Sequence, residues 1–168
     1  MNSILLTTER LILRFPVESD LEFLVDLWSD GDMTRYTGGP RKRDFLLGEF
    51  RRVIRDPAAE EFDLWVMEEK ETGNPVGHAG LLPKEVRGQP YMELNYFIEK
   101  TRWGRGLAGE IACALVEYGF REKGLKEIIA VIHPENTASE EVVKKAGMSL
   151  WTEEERSGTL KRIYKIGR

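Results

Sequence analysis

The sequence predicts an α/β (α+β) domain built on a mixed sheet, and three observations carry this. Segments of period two and segments of helical period succeed one another with no internal repeat, low-complexity stretch or evident linker. One helical segment is apolar nearly all round and is followed by a continuous β-branched run. That is the pattern of a helix lying over a sheet and of a strand buried within it. At 168 residues the chain can bury a substantial core as one domain spanning 1–168.

The elements follow in order. "RLILRF" (Arg10–Phe15) alternates as a first strand. In "SDLEFLVDLW", Ser19 and Glu22 form a capping-box pattern, and Leu21, Leu24, Val25 and Trp28 make a helical stripe. "MTRYTGGP" reads as a loop. A second helix is expected over Asp44–Arg55, with one row through Phe45, Gly48 and Arg52 and another through Leu46, Phe50 and Val53. "DLWVMEE" and "VGHAGLL" are strands about the turn "KETGNP", and a looser loop with Gly88 and Pro90 leads to "YMELNYFIE". In that third strand Met92, Leu94, Tyr96 and Ile98 face one way and Glu93, Asn95 and Phe97 the other.

A long helix over Ala108–Glu122 shows a narrow polar stripe of Glu110, Glu117 and Arg121, with Gly124 placed to cap its end. "EIIAVI" (Glu127–Ile132) is a central buried strand. A helix over Thr137–Ala146 carries a second capping-box pattern, Thr137 with Glu140, and is followed by Gly147. "MSLWTEE" and "LKRIYKI" close the chain as a strand pair around Ser157-Gly158. The predicted order is strand, helix, helix, three strands, helix, strand, helix, two strands.

Composition narrows the function classes. A net charge of −4 argues against non-specific nucleic-acid binding and mildly favours cationic partners. Cys113 is the one cysteine, so neither an internal disulfide nor a cysteine zinc site is available. Its place in "IACAL" reads as a buried, inert thiol. No metal site is expected. "MNSILLTTERL" lacks a basic region followed by an apolar core, which argues against a signal peptide, and no apolar run approaches membrane-spanning length. No membrane association is expected, and the cytoplasm is the default.

The stretch "RWGRGLAGE" (Arg102–Glu110) concentrates three glycines at the start of the long helix. "GRGLAG" matches the dinucleotide fingerprint G-x-G-x-x-G formally. In that fingerprint the strand runs straight into the first glycine and an acid about 20 residues on holds the ribose. Here "EKTRW" intervenes, and the next strand ends in "VIHPEN" without an acid at its tip. No G-x-x-x-x-G-K-S/T is present. Close packing accounts for Gly109 better than for Gly104 and Gly106. A pyrophosphate cradle accounts for both: glycines let successive N–H groups converge on one anion, the helix dipole adds attraction, and Arg102 and Arg105 add positive charge.

Together "TERLILR", "VGHAGL", "YFIEKTRWGRGLAGEI" and "HPENTASEEVVKKAGM" resemble the GNAT acetyltransferase superfamily, and within it the ribosomal-protein-alanine N-acetyltransferase (RimJ/RimL-like) group. The resemblance covers nearly the whole chain and implies a GNAT-like mixed, mostly antiparallel sheet. The family pattern Q/R-x-x-G-x-G/A falls on Trp103, Gly104, Arg105, Gly106, Leu107 and Ala108, with Trp103 in place of the usual Gln or Arg. It implies acetyl-CoA as cosubstrate, its pyrophosphate on the amides of Gly104 to Ala108. The pantetheine arm would pair with the backbone around Phe97 and Ile98, where family sheets splay.

Acetyl transfer to an amine needs a base for the amine, a polarised carbonyl and a proton for the leaving thiolate. Glu93 is the candidate base, on the strand leading to the cradle, where many family members place an acid; the plain alternative is a solvated glutamate. Asn95 is its polar neighbour. Asn136 and Ser139 share a helical face and would ordinarily be capping residues. The resemblance gives Asn136 to the thioester region and Ser139 to thiolate protonation, with Tyr164 as the alternative acid. His133 and His78 read as structural. Lys144 reads as a solvated face, and Lys145 would reach an outer CoA phosphate. "RKRD" (Arg41–Asp44) reads as a helix entrance, and the loop "RYTGGPRKR" would shape the acceptor pocket.

The implied function is N-acetylation of a primary amine, on a peptide or protein N-terminus or a small molecule, by direct attack in a ternary complex. The alternatives are a non-catalytic CoA-binding sensor and a dinucleotide-binding oxidoreductase. A homodimer is plausible by resemblance only.

Overall fold

A computed structural model describes residues 3–168; Met1 and Asn2, which open the predicted domain, lie outside the described residues. Its strands are β1 (Ile4–Thr7), β2 (Leu11–Arg14), β3 (Leu64–Glu69), β4 (Pro75–Val86), β5 (Gln89–Ile98), β6 (Glu127–Ile132), β7 (Ser149–Arg156) and β8 (Thr159–Gly167). Its α-helices are α1 (Leu21–Ser29), α2 (Arg43–Arg55), α3 (Leu107–Arg121) and α4 (Thr137–Lys145). The expected order holds with one addition: β1, a four-residue strand with half-exposed side chains, precedes the expected first strand.

The eight strands form one sheet in the order β1-β2-β3-β4-β5-β6-β8-β7. Pairing is antiparallel except between β5 and β6. The mixed, mostly antiparallel sheet of the expectation is therefore present. The segment around Gly88 is tighter than expected: β4 and β5 form one long hairpin that pairs Val86 with Gln89 and Glu85 with Pro90. Pro90 is tolerated because β6 does not reach it, so its missing N–H faces no partner strand.

One face of the sheet is covered by α3, whose Leu107, Ile111 and Leu115 are fully buried with Leu81, Leu94 and Ile128. The apolar stripe facing the sheet is the main source of the helix's stability, as for most helices of this length. On the other face α1 and α2 pack together through Leu21, Val25 and Leu46. Of the two rows proposed for α2, the one through Leu46 and Phe50 points inward, and Phe45 is exposed.

Neither capping-box pattern forms. At α1 the cap falls on Asp20, whose carboxylate takes the Val17 N–H and a bidentate pair from Arg14, so Ser19 is not the cap. At α4 the cap is Asn136, which accepts the Ser139 N–H at 3.2 Å, while Glu140 turns to Arg162. In both cases an arginine from another element claims the acid of the expected box, Arg43 of α2 taking Glu22 and Arg162 of β8 taking Glu140, and a charge-assisted pair outweighs a local cap.

His78 is buried between α1 and the sheet, where Trp28 Nε1–H donates to its Nδ1 at 3.1 Å. Burial lowers its pKa to about 4. The unfolded chain therefore binds a proton that the folded chain refuses. The stabilisation is complete above the ordinary histidine pKa and is lost as pH falls from there toward 4, by about 3 kcal/mol. Urea unfolding at pH 7.5 and 4.5 is expected to show this loss, and His78→Phe to flatten it. Equal pH dependence in the two proteins would dismiss His78 as its source.

Candidate functional site

The site begins with a defect in the sheet. β5 pairs with β6 only at Met92–Ile128 and Glu93–Ile129, after which the two strands part. Beyond that point β5 stays bonded to β4 as far as Ile98, and β6 stays bonded to β8 as far as Ile132. A V-shaped gap opens between them with free backbone on both sides. Glu99 N–H bonds to Val76 O, and the antiparallel ladder alternates. Both backbone groups of Tyr96, the Leu94 C=O and the Ile98 N–H therefore face the gap, and those of Phe97 are given to β4. Of the two residues expected to offer backbone here, Ile98 turns its N–H to the gap while its carbonyl accepts the Trp103 indole; Phe97 turns both groups to β4, and Tyr96 faces the gap instead. The Phe97 ring lies against Trp28, with centroids 4.5 Å apart.

The gap ends at the N-terminus of α3. A short turn (Lys100–Arg102) leads into Gly104 at φ +75° and Gly106 at φ +77°, both left-handed conformations that favour glycine. No side chain caps α3, so the opening N–H groups of Leu107, Ala108 and Gly109 point outward at the positive end of the helix dipole. A Cβ on Gly104 or on Gly109 would meet nothing within 4 Å. Close packing is therefore not the reason for Gly109; the space beside it is open. An uncapped helix end with open space over two glycines fits a pyrophosphate.

Distant residues hold this cradle. Glu110 accepts from the Thr8 hydroxyl at 2.5 Å and from Arg10 N–H and Nε at 2.7 Å each, and Arg10 Nη1 donates to Arg105 O at 2.7 Å. Burial works against the charge of Glu110, but these bonds outweigh it and its pKa is lowered. On the other side, buried Glu69 pairs with Arg105 at 2.8 Å and with Arg102 at 3.4 Å. The two arginines expected to face a phosphate are thus tied to a carboxylate, and they anchor the loop. The Trp103 indole donates to Ile98 O at 2.8 Å and leaves half its ring exposed. The tryptophan thereby braces the cradle against the end of β5.

Glu93 stands at the point where the strands part, with Lys84 Nζ 3.7 Å away. Its side chain is 12 % exposed. Burial raises its pKa, with Lys84, Asn95 and Arg156 acting in the opposite direction. It is a largely buried carboxylate, not the solvated one of the plain alternative.

Ser139 lies in the first turn of α4, half-buried, and its carbonyl accepts the Tyr96 hydroxyl at 3.2 Å. Tyr96 is the residue that sequence reasoning missed. Its place on the core-facing side of β5 hid the fact that a buried tyrosine hydroxyl needs a partner. Burial pushes its pKa up to about 12, so it keeps its proton. Tyr164 is 3 % exposed and set among Glu140 and Arg162. Lys145 is exposed at the end of α4, and the Cys113 Sγ lies 3.9 Å from its carbonyl oxygen. Cys113 is exposed, against expectation, because it falls on the polar stripe of α3 with Glu110 and Glu117.

The loop after α1 reaches the far side of the gap. Tyr36 packs on His133 at the end of β6, with centroids 5.0 Å apart, and His133 Nδ1 accepts the Glu135 N–H at 3.1 Å. No group of His, Cys, Asp or Glu side chains able to hold a metal occurs among the described residues. No helix there is long and apolar enough to cross a membrane.

The family model described as an acetyltransferase (GNAT) domain matches residues 10–149. The uncharacterized protein YkkB of Bacillus subtilis (strain 168) is 35 % identical over 144 residues, covering 85 % of this chain and 84 % of that one. The uncharacterized N-acetyltransferase p20 of Bacillus licheniformis is 32 % identical over 141 residues, covering 80 % and 76 %. Among solved structures, the aminoglycoside acetyltransferase AAC(6')-Ib in complex with coenzyme A superposes with a TM-score of 0.76 at 17 % identity, over 94 % of this chain and 95 % of that one.

Proposed function

The chain belongs to the GNAT family of N-acetyltransferases, and from that premise we propose that it transfers an acetyl group from acetyl-CoA to a primary amine, on a peptide N-terminus or a small molecule, within a ternary complex. The observation that carries this reading is the V-shaped gap running into an uncapped, glycine-lined helix N-terminus. The finer group is RimJ/RimL-like, on the strength of the N-x-x-S spacing of Asn136 and Ser139. The setting proposed is a single catalytic domain in the cytoplasm, with a homodimer as the assembly.

When bound, acetyl-CoA supplies the thioester acyl group; the chain binds it, orients the amine and manages two protons. The amides of Leu107 and Ala108, with the loop from Gly104 to Gly106, hold the pyrophosphate. Arg102, Arg105 and Trp103 keep that loop in place. The backbone of Tyr96 and Ile98 lines the arm, and Lys145 lies toward the outer phosphate. Glu93 takes the proton from the incoming ammonium, directly or through one water. Asn136 holds the thioester region, and Ser139 or Tyr96 supplies a proton to the leaving thiolate. Cys113 takes no part, since its thiol is nearly two turns into α3, about 9 Å along the helix axis from Leu107.

A panel of amines (peptides with alanine or serine N-termini, polyamines, amino acids and aminoglycosides) incubated with acetyl-CoA tests this. Expected are thiol release and a product 42 Da heavier for at least one amine, an acetyl group in place of hydrogen as ordinary chemistry requires (about 42 Da), with undiminished turnover in Cys113→Ser. Absence of calorimetric acetyl-CoA binding would sink the cofactor assignment. Tight binding without turnover on any amine would sink the catalytic one.

A further inference from the structure

The charges around Glu93 do not balance, and the imbalance bears on which amine the site accepts. Glu93 pairs in register with Leu82 of β4 and Ile129 of β6, and Ile129 pairs with Lys165 of β8. Side chains alternate along a strand, so Lys84 and Val86 of β4 and Lys161 and Ile163 of β8 share the face of Glu93. The two hairpins meet on that face: Val86, Ile129 and Ile163 pack together, and Arg156 of β7 donates to Glu85 O. Lys84 Nζ lies 3.7 Å from the Glu93 carboxylate.

Most cations of this face are already taken. Arg156 pairs with Glu154 at 3.0 Å, and Lys165 pairs with Glu127 at 3.0 Å and lies over the Trp151 ring. Lys161 differs. Glu154 stands opposite it in the register but turns to Arg156, and no carboxylate of the described residues is within ion-pair distance of Lys161. Burial, and then the like charge of Lys84, lowers its pKa. Two ammonium groups therefore act on one another with Glu93 as their single nearby acid, and one positive charge is left over beside the base. Both are within reach of an incoming molecule, since the Lys84 side chain is 36 % exposed and Lys161 is half-buried. The whole chain is acidic, but the neighbourhood of Glu93 is not.

We propose that the acceptor is an amino acid, an amine that carries its own carboxylate. The carboxylate would bridge Lys84 and Lys161, and the amine would lie on the Glu93 side of Lys84. This rests on the acetyl-transfer reading with Glu93 as base. The nitrogen bonds to the acetyl carbon as the carbon–sulfur bond breaks; one nitrogen proton leaves to solvent through Glu93 and one ends on the thiolate. The two lysines also disfavour a second positive charge. They thus discriminate against polyamines and help the bound ammonium give up its proton.

The test uses the full chain with acetyl-CoA and the common amino acids, each as free acid and as carboxamide. At least one acid is expected to be acetylated with kcat/KM about tenfold or more above its carboxamide, the worth of one charge-assisted contact. Lys161→Met should raise KM for the acid about tenfold with little change in kcat, bring acid and carboxamide close together, and leave acetyl-CoA affinity as it was. Lys161→Arg should restore the preference, and Lys161→Gln serves if the methionine variant does not fold. Carboxamides turned over as well as the acids overturn the proposal, as does an acid preference that survives in the methionine and glutamine variants. If polyamines or aminoglycosides are acetylated and no amino acid is, the acceptor class falls and the acetyl-transfer reading stands. Turnover of no amine at all removes both.

Discussion

Replacing Gly106 by aspartate is expected to weaken acetyl-CoA binding at least a hundredfold, about 3 kcal/mol. Two causes add. Gly106 has φ +77°, and a residue with a Cβ in that left-handed conformation is strained by about 1–2 kcal/mol. The new carboxylate would also sit at the positive end of α3, where the pyrophosphate is proposed to lie, and would compete with it for the same N–H groups. Its Cβ would come 3.5 Å from Arg10 Nη2, an ordinary contact with a cation, so the fold is expected to survive. Gly106→Ala separates the causes, because it brings the strain without the charge. Calorimetry with acetyl-CoA measures both; aspartate and alanine variants that bind like the parent chain would remove the cradle from the site.

Glu93→Gln is expected to lower kcat by about 10²–10⁴, the usual contribution of a positioned base, and to leave acetyl-CoA affinity nearly unchanged. The pH profile carries the sharper signature. A base must be ionised, so the parent rate rises with pH through the Glu93 pKa. Burial has raised that pKa above the ordinary glutamate value, which moves the acid limb of the profile upward. In the glutamine variant this limb disappears. Parent and variant rates that stay equal at every pH would dismiss Glu93 as base.

Where one strand is buried on both faces, its own residues were sufficient to place it: β6 runs from Glu127 to Ile132, as the apolar run predicted. The start of α3 was off by a single residue, and both glycines expected to be special have positive φ. The exposure of Cys113 was also within reach, since Glu110, Cys113 and Glu117 follow the helical three-four spacing; the apolar neighbours in "IACAL" obscured it. β1 was not legible. It has four residues, and its reason for being a strand is the edge that β2 offers. The two capping boxes failed for a similar reason, as Arg43 and Arg162, which take Glu22 and Glu140, come from other elements.

The candidate site divides the same way. The glycine loop and the Asn136–Ser139 spacing are local patterns and were readable. That Thr8, Arg10 and Glu69 hold the loop was not, because each acts across a fold that brings distant segments together. The backbone groups facing the gap were displaced by one residue from expectation. Which of Tyr96 and Phe97 points outward is decided by the register with β4, and that register is set by the tight turn at Gly88.

The bonds from Thr8 and Arg10 to Glu110 have a consequence for how the molecule acquires its binding competence. The glycine motif is contiguous along the chain, but the cradle is not: its bracing contacts span 100 and 102 residues. Such closures are entropically expensive and come late in folding, after the sheet has brought both ends of the loop together. A fragment holding only the motif would lack the brace that fixes its amides. The capacity to grip an anion is thus a property of the assembled tertiary structure, switched on with global folding and lost with it.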